Sequence, residues 1–185
     1  VHTTSFSGVT GPVTREAFAS RDADVVVVHY TGERISGTVA LTSAQDGVDV
    51  EVDESEAALR FASVLANDLR FGAELRVLPV GGSLARDGSS LRFEGCSQVT
   101  LVLDARTDYK LDASADWRTG AAPDLAVAVA AAESLGHERL RSDHVDRVKS
   151  LMDRVAVDWG ATDPAVLALP VDARLRRYAD GAEDP

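Results

Sequence analysis

Apolar residues recur every second position through the first part of the chain, and from residue 123 onward they recur with a period near 3.6. The first period is that of strands with one buried face, the second that of helices. Within 14–42, the run Val25-Val26-Val27-Val28 is β-branched, stiff at χ1 and bounded by Asp22-Ala23-Asp24 and Thr31-Gly32. It predicts a central strand covered on both faces. Ile35, Gly37, Val39 and Leu41 then alternate with Ser36, Thr38, Ala40 and Thr42, which predicts a second strand nearer an edge. Upstream, residues 1–7 read as a strand, 8–12 as a turn containing Gly and Pro, and 13–20 as the returning strand.

The acidic run 46–56 invites a calcium reading, but Val48, Val50 and Val52 alternate with Asp49, Glu51 and Asp53, and an EF-hand's glycine and closing glutamate are missing. A solvated strand face is the better account. Residues 59–65 fit strand or helix. Phe71, Ala73, Leu75 and Val77 alternate with Arg70, Glu74 and Arg76 in a strand that Pro79 should end. Gly81-Gly82 predicts a turn and Asp87-Gly88 a hairpin, with two further strands at 91–93 and 99–103.

Asp124 is placed to cap a helix running to about Ser134, rich enough in alanine and valine to be buried on more than one side. A second helix follows Gly136, with Leu140, His144, Val148, Leu151 and Val155 on one stripe. Beyond it, 155–159 reads as a short extended piece, Asp163-Pro164 and Leu169-Pro170 as a stiff connector, and Asp172 as the cap of a short helix over 173–179. The fold class predicted is mainly β, an antiparallel β-sandwich over 1–122, with linker helices over 123–185.

With 185 residues, 45% of them hydrophobic, the chain can bury a core without staples. Its one cysteine, Cys96, excludes an internal disulfide and a CxxC metal knuckle and reads as a small buried hydrophobe. A net charge of −11 argues against a nucleic-acid partner. No apolar run is long enough to span a membrane, and the compartment stays open. His137 and His144 are seven apart, about 10.5 Å along a helix, too far to share a metal ion, and His2 has no partner at metal spacing. We therefore expect no metal and no cofactor, and His144 as a hydrogen-bonded interface histidine.

The most site-like stretch is the loop 104–123, which concentrates Asp108, Tyr109, Asp112, Asp116, Trp117 and Arg118. Rings beside carboxylates and a guanidinium suit sugar recognition, with a face to stack on and polar groups to fix hydroxyls. Asp108, Tyr109 and Trp117 are the candidate substrate-binding residues. The plainer reading packs Trp117 against the chain's own sheet, and that is the outcome we expect.

Several motifs carry a resemblance. They are Thr14-Arg15-Glu16-Ala17-Phe18-Ala19-Ser20 before the valine strand, Arg70-Phe71 with Leu75-Arg76-Val77-Leu78-Pro79, and 99–103 running into Thr107-Asp108-Tyr109. Leu140, His144 and Leu151 with Asp153-Arg154-Val155 and Asp158-Trp159-Gly160 follow, then Leu169-Pro170, Asp172, Arg174-Leu175 and Asp184-Pro185. In order and spacing they resemble the N-terminal β-sandwich and barrel linker of glycoside hydrolase family 95, the inverting α-L-fucosidases. The resemblance implies a scaffold that docks a catalytic (α/α)6 barrel of the same polypeptide, with fucosylated oligosaccharide met through the parent enzyme.

The family's opening Asn-Gly-Arg and Asn-Glu-Asp-Thr-Leu-Trp motifs and its barrel are not in this chain, so the resemblance places no catalytic residue here. Nor do the residues themselves single out, among 30 acidic side chains, the pair that inverting hydrolysis needs. Leu140, His144, Val148, Leu151 and Val155 are the expected interdomain interface, through which the chain alone should self-associate. A free-standing carbohydrate-binding module is the alternative reading, favoured if Trp117 and Tyr109 are exposed and coplanar with a groove. An unrelated sandwich that mediates protein contacts is a third.

Overall fold

The computed structural model describes residues 1–158 and 160–183, so Trp159 and the terminal Asp184-Pro185 lie outside the described residues. Two compact units divide the chain, Val1–Val148 and Lys149–Pro185. The first unit is built on an eight-stranded antiparallel sheet, consistent with a β-sandwich. Its strands are β1 (His2–Gly8), β2 (Gly11–Ser20), β3 (Val25–Ala40), β4 (Glu51–Asp53), β5 (Ala58–Val64), β6 (Arg70–Val80), β7 (Ser83–Asp87) and β8 (Ser90–Thr107). They pair in the order β1-β2-β3-β8-β6-β5-β4, with β7 also on β8.

The opening hairpin forms as expected, with Gly8 opposite Gly11 and the turn at Val9-Thr10 between them. Two expectations are corrected. The valine run and the alternating run after it are one strand of 16 residues, β3, and the two short strands expected at 91–93 and 99–103 are one strand of 18, β8. These long strands pair with each other from Val26 opposite Leu103 to Ala40 opposite Ser90, with register shifts between Thr31 and Gly37. Such irregularities bend a strand without ending it. The turn chemistry at Thr31-Gly32 and Gly95 marks the bend, not a strand end.

The valine run is also not covered on both faces. Val25 and Val27 are buried, whereas Val26 is 42% exposed, the alternation of a sheet with one face closed at that point. Pro79 does not end β6, which continues to Val80. Of residues 59–65, which fitted strand or helix, 59–64 lie in strand β5 (Ala58–Val64).

Strand alternation gives the sheet two apolar faces. Val13, Ile35, Leu59, Leu75, Val77, Leu91, Cys96 and Val99 come from five strands to form one core, with Val50 and Val52 of the acidic segment packed against it. The opposite face presents Phe18, Val25, Val27 and Val102 to Val129, Ala132 and Leu140 of helix α1 (Ala126–Met152). Asp124 lies two residues before α1, which begins later than expected. The alanine-rich part is buried on one side only, because Val127 is exposed while Val129 and Ala132 are sealed. The break expected at Gly136 is present, with φ 74° and ψ 164° interrupting the helical backbone.

Polar groups tie α1 to the sheet. Glu74, only 3% exposed, pairs with Arg76 at 3.1 Å and Arg60 at 3.7 Å, and Arg76 also reaches Glu56 at 3.3 Å and Glu133 of α1 at 3.2 Å. A buried carboxylate survives because it is paired.

The second unit holds α2 (Pro164–Leu167) and α3 (Val171–Ala179). The expected stiff connector at Asp163-Pro164 is a single helical turn whose N–H at Ala165 is capped by Asp163. Asp172 does not cap α3. It sits in the first turn and pairs with Arg176 at 2.7 Å. Residues 155–158 form no strand.

Candidate functional site

The loop after β8 folds back on itself as a small hairpin. Tyr109 and Arg118 form a bridge, the Lys110 N–H donates to the Trp117 carbonyl at 2.9 Å, and the Thr119 N–H donates to the Asp108 carbonyl at 2.8 Å. At the tip Asp112 caps a 3-10 turn over Ala113–Ala115. Its carboxylate accepts from the Ser114 N–H and hydroxyl, and Lys110 lies 2.9 Å away. The Ser114 hydroxyl first, then Lys110, holds the Asp112 carboxyl below its ordinary pKa.

Asp116 and Trp117 both have positive φ, 51° and 61°. Left-handed backbone at non-glycine residues persists where surrounding bonds over-determine it, and here the Trp117 N–H is tied to the Asp112 carbonyl at 3.0 Å.

Of the three predicted sugar contacts, two are open to solvent. Tyr109 is 54% exposed and Trp117 46%, so the expectation that Trp117 packs on the sheet is corrected. The hairpin finds its hydrogen-bond partners within its own backbone and leaves nearly half of Trp117 open to solvent. Asp108 is revised in the other direction, because it is buried and its carboxylate accepts the Arg70 N–H at 2.9 Å. It pins the loop to the start of β6 and has no face for a sugar hydroxyl.

The exposure of Trp117 sets an expected result. Trp117→Ala should change unfolding free energy by about 1 kcal/mol or less, as surface substitutions do. Urea unfolding of both proteins checks it, and a loss near the 3 to 5 kcal/mol of a buried aromatic would put the ring back on the sheet.

A groove of about 810 Å³ opens on the strand face near β1, lined by Phe6, Val13, Tyr30, Ile35 and Phe93 with Arg34 and Ser36 at its rim. No Asp or Glu lines it. Sequence reasoning missed it, since Phe6 and Tyr30 come from separate strands that only the sheet brings together. The buried acids are engaged elsewhere: Glu74 with Arg76, Asp104 with Arg106 at 2.7 Å, and Asp108 with the Arg70 backbone. Burial raises the Asp104 carboxyl's pKa, with Arg106 opposing. Burial likewise pushes the Cys96 thiol up. Among the described residues, no three His, Cys, Asp or Glu side chains are grouped to hold a metal ion.

Residues expected at an interdomain interface divide. Leu140 is 2% exposed against the chain's own sheet, and His144 stacks on Phe18 with centroids 5.0 Å apart. Val148, Leu151 and Val155 are exposed. The expectation of one open stripe is therefore corrected at its first two members, because Phe18, Val27 and Val102 already cover Leu140.

A family model described as glycosyl hydrolase family 65, N-terminal domain, matches residues 1–112. The chain belongs to that family. The matched stretch of this family 65 N-terminal domain holds all eight strands and ends within the Tyr109–Trp117 hairpin. Its family is numbered differently from the one the motifs resemble, and the shared content is a glycoside hydrolase N-terminal β-sandwich. No curated protein sequence matches the chain.

Proposed function

We propose that this chain is the non-catalytic N-terminal β-sandwich portion of an α-L-fucosidase-like glycoside hydrolase, serving as scaffold and docking surface for a helical catalytic barrel of the same polypeptide. The family match over residues 1–112 carries this reading, and the motif order that resembles the inverting α-L-fucosidases supplies the substrate. Exposed apolar residues suit docking: Val148 on the first unit, and on α3 of the second Val171, Leu175 and Tyr178, which share one helix face. Leu151 and Val155 extend the second unit's exposed apolar residues. The same side chains would carry self-association of the isolated chain.

The test is hydrolysis of an aryl α-L-fucoside. The complete enzyme is expected to turn it over and this chain alone to release nothing above buffer. Turnover by the chain, abolished by one Asp or Glu substitution within it, would overturn the non-catalytic reading. A complete enzyme that cleaves another glycoside and leaves the fucoside intact would overturn the fucosidase reading.

The exposure of Tyr109 and Trp117 meets one of the two conditions for a second reading, a carbohydrate-binding module, the other being a groove coplanar with the rings. In that case Trp117→Ala loses oligosaccharide affinity at unchanged melting temperature, and affinity electrophoresis on fucosylated glycan separates the two readings.

A further inference from the structure

Three of the chain's four histidines meet where α1 lies on the sheet. His29 of β3 is buried, and its ring lies parallel to that of His137, with centroids 3.7 Å apart and planes 11° apart. His29 Nδ1 is hydrogen-bonded to the Thr100 hydroxyl of β8 at 2.8 Å. His137 Nε2 lies 3.5 Å from Glu16 of β2, and Nδ1 lies 3.5 Å from the solvent-facing Glu138. Arg141 of α1 already binds both Glu16 oxygens, at 3.1 and 3.2 Å. His144, further along the same helix, stacks on Phe18.

The charged and titratable groups at this seam are thus Glu16 from β2, His29 from β3, and His137, Glu138, Arg141 and His144 from α1. Thr100 from β8 is neutral. Two carboxylates face one permanent cation and three imidazoles. Glu16 and Glu138 lie beside His137. Among the described residues, His29 has no carboxylate within hydrogen-bond reach, so a proton there is left without an anion where burial weakens solvent screening. The helix already breaks at Gly136, immediately before His137, so the following segment can leave the sheet without unwinding the preceding one.

We propose that this seam is an acid-sensitive latch, in which protonation of His29, stacked on His137, releases helix segment 137–148 from the sheet about the Gly136 break. Burial, then the neighbouring His137, holds the His29 imidazole below its ordinary pKa, with Glu16 and Glu138 opposing. For a base so shifted, the released state binds protons more readily than the closed one. The latch is therefore fully closed above about pH 6.5 and opens as pH falls toward the lowered pKa of His29.

Residue-resolved amide exchange on the whole chain, corrected for intrinsic rates, tests this between about pH 7.5 and pH 5. Amides of 137–148 should lose about tenfold or more in protection at the lower pH while those around Val129 to Ala132 keep theirs. His29→Gln, which retains a hydrogen-bonding group near Thr100 but cannot titrate, should abolish the loss. Equal protection of wild type at both pH values, or the same loss in the variant, overturns the proposal. If the variant does not fold, the wild-type imidazoles are titrated by NMR. The His29 titration should coincide with the release, and release at a pH where His29 is still neutral overturns the latch.

Discussion

Arg76→Met is expected to destabilise the fold by about 3 kcal/mol, the low end of what breaking a buried ion pair costs. The guanidinium contacts Glu74 and Glu56 of the sheet region and Glu133 of α1, and Glu74 is almost fully buried. Methionine fills much of the same volume, so the loss measures charge and not packing. Arg60, 3.7 Å from Glu74, remains as a partial partner and keeps the figure at the low end. Urea unfolding with linear extrapolation gives the value. The double variant Glu74→Gln with Arg76→Met should lose less than the sum of the two single changes, because the stranded charge has gone. Simple additivity would show that the pair is not coupled.

Gly82→Ala should cost about 3 kcal/mol or more, well beyond the usual penalty for left-handed backbone at a non-glycine residue. Gly82 has φ 65°, and an added Cβ would meet backbone on the facing strand. It would lie 2.8 Å from the Cys96 nitrogen and the Gly95 carbonyl carbon, and closer still to the Glu94 carbonyl oxygen. No rotamer change relieves a clash with backbone. The turn from β6 into β7 would have to move off β8, which also carries β3 and β6. Gly81→Ala is the control, since φ there is 69° but the nearest atom, the Ser97 hydroxyl, is 4.0 Å away. Thermal or urea unfolding should place Gly81→Ala about 1 kcal/mol below wild type and Gly82→Ala far lower. Equal losses would mean that dihedral strain accounts for both.

Part of the site is legible in the residues alone. The hairpin 108–118 stands out by composition, and its residues Tyr109 and Trp117 are exposed. The role of Asp108 is not legible, since its partner is the backbone of Arg70, far off in sequence and brought close only by pairing of β6 with β8. The histidine seam is half legible. Spacing puts His137 and His144 on one helix, but nothing local joins them to His29 and Glu16, which reach them only through the packing of α1 on the sheet. The available signal is the strand period, because His29 falls on the same face as the buried Val25 and Val27, and a histidine continuing a buried stripe needs a partner.

By itself the sequence determined local conformation: the opening hairpin, the existence of a strand at β6, the turn after Asp87, the helix break at Gly136 and the burial of Cys96. Each follows from side-chain period or from a residue with restricted or unusual backbone freedom, and both act over a few positions. Tertiary structure alone decided where strands continue, which faces are covered and which charges meet. Thr31-Gly32 reads as a turn in isolation, yet the partner strand carries β3 through it, because ladder bonds on either side outweigh a local preference worth little. Leu140 and His144 look like an open stripe for the same reason. Their period reports a buried face and is silent about its partner, which is the chain's own sheet.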